Sequence, residues 1–495
     1  LSDTHTTGTP KVRKALALPQ LGCGTVFGVH NHSLANVLRG LVERVFLVEK
    51  HGQLVSPPKP SAGVFDKLSC FRARLLRVLG SCRPWSVEQF TGSYRGAKQV
   101  LYERVAADVA KHPIHRGDAE LRTFVKAEKL NLTSKPNPAP RVIQPRNPRY
   151  NVGVGPYIKA HEHNVYRAIA DVWGGPTVMK GYNGRQVAKE MRKMWDSIPS
   201  PCAIGLDASR FDQHVSVPAL EWEHSVYNGM FRCPRLRTLL AWQLSNKGLA
   251  YTPEGRVKYK VAGCRMSGDM NTALGNCLLM CAMVWELCRS LGITARLANN
   301  GDDCTLIVPK QHEKVVRNAI PGWFREFGFT MKVEDTVYEF EQIEFCQMHP
   351  VRTAYGWTMS RNPLTCLDKD TLCLHPASNP YHVWAAGIGT AGLALSSGVP
   401  VLQAFYTRLK TLAGQEGVLA DGSGMAYLAR DLPSELCPIT DAARVSFYKA
   451  FGVMPWVQRL LEDELMKEQC CLAVGLNTAS HSVHNRRLTL SNQYS

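Results

Sequence analysis

With 495 residues, 45% of them apolar, 20% charged and 8% aromatic, the chain can bury more than one core and is neither disordered, collagenous nor a coiled coil. Its 59 Lys and Arg against 41 Asp and Glu leave a net charge of +18, a surplus that would draw it to a polyanion such as RNA, DNA or an anionic membrane. The 16 cysteines, scattered from Cys23 to Cys471 and often inside apolar stretches, suit small buried hydrophobes of a reducing, intracellular compartment better than a disulfide framework.

At the start, Leu1-Ser2-Asp3-Thr4-His5 lacks the pattern of a signal peptide, and no apolar run in the chain approaches the ~20 residues that cross a bilayer. Residue 1 is leucine, so an upstream part of the natural protein, with any anchor it carries, is expected to be missing. Leu34 to Leu47 reads as an amphipathic helix and Ser56 to Ser61 as a proline-rich connector. Phe71 to Leu79 alternates apolar residues with Arg72, Arg74 and Arg77, and Leu101 to Lys111 reads as a helix. From Lys126 to Lys159 a run of basic residues and prolines predicts an extended, rigid stretch.

A different regime begins at Cys202, where a short buried strand ends in Asp207. Ala219 to Phe231 and Thr272 to Leu291 read as helices. Ala295 to Asn299 and Cys304 to Val308 read as two strands about the turn Gly301-Asp302-Asp303. A polar-faced helix over Gln311 to Ile320 and a strand over Phe329 to Val333 complete an α+β pattern, expected to be a sheet with helices on one face. Beyond Pro350 the character is mainly helical, with Val457, Leu460, Leu461 and Leu465 on one face of a helix from Pro455 to Glu468. The last twenty residues read as a loose tail.

Three patterns carry the chemistry: Asp207-x4-Asp212, then Ser267-Gly268-x3-Thr272-x3-Asn276, then Gly301-Asp302-Asp303. At a frequency of roughly 1/20 per residue type, chance would give the first about once in this length, the third about 0.06 times and the second about 0.003 times. Carboxylates from separate segments meeting at one point are what two-metal phosphoryl transfer needs, with divalent ions about 3.5–4 Å apart. Asp207 and Asp302 suit that role, and hard oxygen ligands select magnesium, with manganese as the alternative. Thr272 and Asn276, four apart, share a helix face that can hydrogen-bond a sugar edge. Taken singly, Asp302-Asp303 also suits a plain polar turn. Cys346-x2-His349, Cys366-x6-Cys373-x-His375 and His161-x-His163 lack the paired spacing of a zinc module.

The ordered set resembles motifs A, B and C of the RNA-dependent RNA polymerases of positive-strand RNA viruses, most of all the tombusvirus and flavivirus-related group. Glu128-Lys129, Lys135-Pro136 and the stretch from Pro140 to Pro145 resemble that family's motif F. Lys332, after Gly328-Phe329-Thr330-Met331, falls at motif D, and Phe345-Cys346-Gln347 resembles motif E, so the similarity spans about residues 126 to 350. The resemblance implies a right hand with an antiparallel palm sheet and mainly helical fingers and thumb. Residues 1–90 would be an N-terminal region with fingertip contacts, 91–200 fingers, 201–350 palm with a fingers insertion at about 213–260, and 351–495 thumb and tail.

It also implies roles. Asp207 and Asp302, with Asp303 assisting, would hold Mg2+ or Mn2+. Asp212, Ser267, Thr272 and Asn276 would read the ribose, and Lys126, Lys129, Lys135 and Arg141 would line the nucleotide entry path. Lys332 would protonate departing pyrophosphate. Partners would be RNA template and product, NTPs, and viral and host replicase factors, in host cytoplasm at intracellular membrane replication complexes. Membrane association would be indirect or through missing N-terminal sequence. Two rivals stand beside this reading: a reverse transcriptase with the same palm, against which Asp212 and the Thr272/Asn276 pair argue, and a non-catalytic RNA-binding scaffold.

Overall fold

The computed structural model describes residues 1–10, 12–13, 15–17, 25–374, 381–411 and 424–467. Its centre is a four-stranded antiparallel sheet in the order Arg296–Asn300, Asp303–Pro309, Pro201–Ala208, Met331–Val333. Alternation along the strand Pro201–Ala208 sends Cys202, Ile204 and Leu206 to one face, where they meet the helices Thr272–Ser290, Glu313–Glu326 and Pro148–Trp173. The helix Thr272–Ser290 is buried nearly all round, as its run of Leu, Met, Cys and Ala requires.

The other face is covered too. Ala203, Ala298 and Ile307 pack against Val187, Met191 and Trp195 of the helix Gly184–Ser197 and against Phe340, Ile343 and Phe345. The expectation of helices on one face is therefore corrected: these strands are apolar on both sides, and each side needs a cover. A second correction concerns Lys126 to Lys159, which is extended only as far as Asn147. Pro148 opens a 26-residue helix, at the position where its missing N–H costs nothing, and Asn147 caps it by accepting from the Arg149 N–H. Pro156 is carried inside that helix by the burial of Tyr150, Val154, Ile158, Val165 and Ile169 on either side of it.

A second sheet stands outside the first, in the order Ser2–His5, Gly255–Ala262, Ser245–Thr252, Leu121–Arg122. Its inner face, with Ala250, Val257 and Tyr259, packs on Leu34, Val37 and Leu41 of the helix Leu34–Leu41. That helix continues as a wider turn over Val42–Phe46, so the predicted helix to Leu47 changes pitch partway.

Beyond residue 347 the chain first forms a hairpin, Met348–Thr353 with Gly356–Arg361, and only then the predicted helices. On the helix Pro455–Met466, Leu461 and Leu465 face the core, while Leu460 is 55% exposed and Gln458 is buried in its place. The predicted tail and His375 lie outside the described residues. Among those described, no helix is long and apolar enough to cross a membrane.

The N-terminal region ties distant parts together. Leu16–Ala17 pairs with Leu372–Cys373, and Phe27–Gly28 pairs with Leu130–Asn131. Nearby, the Thr25 N–H donates to Asp368 Oδ2 at 3.0 Å. The C-terminal side of this junction rests on Arg361, which makes two hydrogen bonds to Asp370, at 2.6 and 3.2 Å, and a third to the Tyr406 hydroxyl at 2.5 Å. Arg361→Ala would strand the Asp370 carboxylate in a low-dielectric site. It should lower stability by about 3–5 kcal/mol in urea unfolding; a cost below about 1 kcal/mol would show that water reaches Asp370 in the folded state.

Candidate active site

The sheet register gathers the acids. At the end of the central strand Asp207 stands opposite Asp303 on one side and opposite Lys332 on the other, and Asn300 faces Asp303 across the hairpin. Gly301, at φ +74°, and Asp302 form the two-residue turn between these strands, a left-handed position that glycine adopts without strain. Asp207 and Asp302 open into a cleft of ≈ 1570 Å³ that is also lined by Asp212, Ser267, Thr272, Asn276, Arg141, Lys126 and Lys135.

Asp303 does not line this cleft and is held from the far side of the hairpin. Its Oδ2 accepts the Cys346 N–H at 3.0 Å. Cys346 and Gln347 both have positive φ, +53° and +59°, in a tight turn closed by Phe345 and Met348. Burial pushes the Asp303 carboxyl up to about 6, and the charges of Asp302, Glu334 and Asp207 push the same way. Asp302 is also raised by burial, against the opposing pull of Arg141 and Lys180. Lys180 donates to Asn300 Oδ1 at 2.6 Å, and Asn300 Nδ2 lies 3.2 Å from Cys346 Sγ, so the hairpin tip is clamped from both flanks.

Asp212 is raised by burial and steadied by Asn276, whose Nδ2 donates to its Oδ1 at 2.9 Å. Asn276 is itself oriented, because its Oδ1 accepts from Arg265 Nε at 2.8 Å. Arg265 forms a fully buried ion pair with Glu223, and Glu223 accepts further bonds from Asn271 at 2.6 Å and from Tyr227 at 3.1 Å. Thr272 donates to the Met266 carbonyl at 2.9 Å, which pins the loop before its helix. That loop is tied to the basic strap: Gln144 N–H donates to the Ser267 carbonyl at 2.7 Å, and Arg146 pairs with Asp269 at 2.5 Å.

Two predicted residues stand elsewhere. Lys129 does not line the cleft. Its Nζ donates to the Lys369 carbonyl at 2.7 Å and lies 5.6 Å from the Trp384 ring, and burial lowers its pKa to about 8. The strand Leu130–Asn131, pairing with Phe27–Gly28, carries it toward the C-terminal helices. Lys332 is exposed on its edge strand and lines a smaller neighbouring cleft of ≈ 360 Å³ with Glu334 and Glu344.

Sequence reading missed Lys180, Asn300, Arg265, Glu223 and two cations on the cleft wall, Arg44 and Arg210. Arg44 is lowered to about 10 by burial and by its neighbours Arg141 and Arg210, so a positive wall faces an acidic floor. Of these residues, only Arg265, two positions before Ser267, and Asn300, beside Gly301, had a signal in the sequence.

Among the described residues, no three His, Cys, Asp or Glu side chains close on one point. A divalent ion here would take ligands from Asp207 and Asp302 and complete its shell with water or phosphate oxygens, which suits Mg2+ better than a closed protein cage does.

Residues 2–472 match the family described as viral RNA dependent RNA polymerase. The chain is 47% identical over 466 residues to the RNA-directed RNA polymerase of Turnip crinkle virus and 48% identical over 464 residues to that of Melon necrotic spot virus. It is 44% identical over 475 residues to that of Tomato bushy stunt virus (strain Cherry). These matches cover 92%, 92% and 93% of this chain, and 60%, 59% and 57% of the relatives' own length. The chain therefore spans well under two thirds of each.

The geometry makes two predictions. A Cβ at Gly275 would lie 2.1 Å from Glu223 Oε1 and 2.3 Å from Arg265 Nη2, so Gly275→Ala must displace a buried ion pair. It should cost about 1–3 kcal/mol in urea unfolding, and an unchanged midpoint would show that the pair has room to move. The second concerns pH. An unfolded aspartate ionises near 3.9, so the stability contributed by protonated Asp303 is full below about pH 4 and lost as pH rises through about 6. Without divalent cations, Asp303→Asn should raise the apparent Tm by about 2–4 °C at pH 7.5 and leave it unchanged at pH 4. A gain of equal size at both pH values would assign the effect to something other than ionisation.

Proposed function

The chain belongs to the viral RNA-dependent RNA polymerase family, and from that premise we propose that it copies an RNA template into RNA by adding nucleotides from NTPs to a 3′-hydroxyl. The observation that carries this reading is the meeting of Asp207 and Asp302 in a cleft that also receives Asp212 and Asn276, opposite a wall of basic side chains. In this reading the molecule is a right hand. The central sheet is the palm within 201–350, residues 213–260 join the fingers of 91–200, and 351–495 form the thumb. Residues 1–90 bridge fingers and thumb, a role supported by the pairing of Phe27–Gly28 with Leu130–Asn131 and of Leu16–Ala17 with Leu372–Cys373.

Asp207 and Asp302 hold Mg2+, or Mn2+, with Asp303 fixing the hairpin tip from behind. Divalent ions at such a site supply activation of the 3′-hydroxyl and neutralisation of the triphosphate. Arg141, Lys126, Lys135, Arg44 and Arg210 draw the triphosphate in and orient it by charge and by hydrogen bonds. The 3′-hydroxyl loses its proton to water, its oxygen bonds to the α-phosphorus, the bond from that phosphorus to the bridging oxygen breaks, and pyrophosphate leaves. Lys332, across from Asp207 in the strand register, would give the leaving group its proton only if its exposed side chain turns from the neighbouring cleft toward the triphosphate. Asp212 and Asn276, with Ser267 and Thr272, read the ribose 2′-hydroxyl, and the Arg265–Glu223 pair keeps Asn276 aimed. Replicase partners in the host cytoplasm, and any membrane attachment, would be reached through other proteins or through upstream sequence.

The test is incorporation of labelled NTPs on a short RNA template with Mg2+, with dNTPs in parallel. Wild type should make template-length RNA from NTPs alone, and Asp302→Asn should lose at least about a hundredfold in rate. Equal use of dNTPs would favour the reverse transcriptase reading. RNA binding without incorporation by either protein would favour the scaffold.

A further inference from the structure

The outer sheet has a face that the proposed chemistry does not use. Along Gly255–Ala262 the residues Arg256, Lys258 and Lys260 are exposed in alternation with buried Val257 and Tyr259. On the adjoining strand Ser245–Thr252, Lys247 and Tyr251 are exposed on the same side, and Arg122 joins them from Leu121–Arg122. The register places Lys247 opposite Lys260, Tyr251 opposite Arg256, and Arg122 and Lys258 on either side of Leu249. None of the six lines the cleft.

Among the described residues, none of the five cations forms an ion pair. Arg256 donates to Thr4 Oγ1 at 3.1 Å. Asp3, the acid on the edge strand, pairs with Val257 and so belongs to the opposite side. Like charges directly opposite each other destabilise a sheet, so the Lys247–Lys260 pair is a standing cost that an anion would remove. Alternate residues on a strand lie about 6.6–6.8 Å apart, a spacing of the order of that between successive phosphates on one nucleic-acid strand. Tyr251, 58% exposed, adds a flat ring at the edge of the charge. An anionic membrane fits less well: apart from Tyr251, the partly covered Leu249 and the small Ala262, the face offers no apolar side chains to insert.

We propose that this face binds single-stranded RNA outside the cleft, holding the phosphates with Lys247, Arg256, Lys258, Lys260 and Arg122 and stacking a base on Tyr251. This surface keeps a long RNA on the protein while another part of it occupies the cleft. It goes beyond the polymerase reading and does not depend on it, because its readout is binding and not incorporation.

The experiment uses the full chain and a fluorescent 20-nucleotide oligouridylate, titrated at several salt concentrations. A Lys247→Ala/Lys258→Ala/Lys260→Ala variant should bind at least about tenfold more weakly. Its log–log salt slope should be shallower by about 2, since each single-strand phosphate contact contributes about 0.7. Lys260→Glu puts opposite charges across the pair with Lys247, so it should lose affinity while its apparent Tm is unchanged or raised, and Lys260→Arg should keep wild-type affinity. Wild-type affinity and slope in both the triple variant and Lys260→Glu would overturn the proposal. So would normal RNA binding with loss of binding to phosphatidylserine vesicles, which would make the face a membrane surface.

Discussion

Like charges must be held close against their own repulsion, and the register of one strand does that here. Asp207, Asp302 and Asp303 come from segments almost a hundred residues apart in the chain, and they meet only because Asp207 pairs with Asp303 and the turn at Gly301 projects Asp302 beside them. A slip of one residue would turn Asp207 into the core and bring an apolar neighbour to the cleft. Such a slip would also drive Ile204 and Leu206 into the side fitted to Ala203 and Gly205, where a Cβ at Gly205 would already meet the Glu334 carboxylate. The double-sided core described for Cys202, Ile204, Leu206 and, opposite them, Ala203 is thus the condition for the acid cluster rather than a separate matter of stability.

Beneath the cleft floor the polar groups are paired in a chain that runs from Asp212 through Asn276 and Arg265 to Glu223. A buried ion pair is a weak source of net stability, and an apolar pair of similar volume would often do as well. What Arg265 and Glu223 contribute is direction: they leave the Asn276 amide one orientation, with its NH2 toward Asp212. Arg146 with Asp269 acts in the same way on the other side, binding the strap after Arg141 to the loop that carries Ser267. The cleft is thereby built on rigid elements although about half of its lining comes from loops.

The acid cluster was legible in the sequence because each acid ends a short apolar strand or occupies a glycine turn, signals that act within a few residues. The helix Thr272–Ser290 and the hairpin around Gly301 were legible for the same reason. Lys129 was not: its surroundings are set by residues 369 and 384, and a basic residue in a basic segment carries no local sign of which way it turns. The helix from Pro148 was hidden by its prolines, one at a position where proline is harmless and one compensated by burial on both sides. Lys180 left no trace, since its partner Asn300 lies 120 positions away.

The strand pairs made by residues 16–17 and 27–28 also bear on how the molecule is made. One joins residues 372–373 and the other residues 130–131. At about 5–20 residues per second, the first partner of Leu16–Ala17 leaves the ribosome on the order of tens of seconds after them. Throughout that interval these backbone groups have no strand to join, and the junction closes only once residues 372–373 have been synthesised. Leu16–Ala17 therefore emerges well before it can be fastened, and a nascent chain released before residue 372 would keep it as an open strand edge for other chains to pair with.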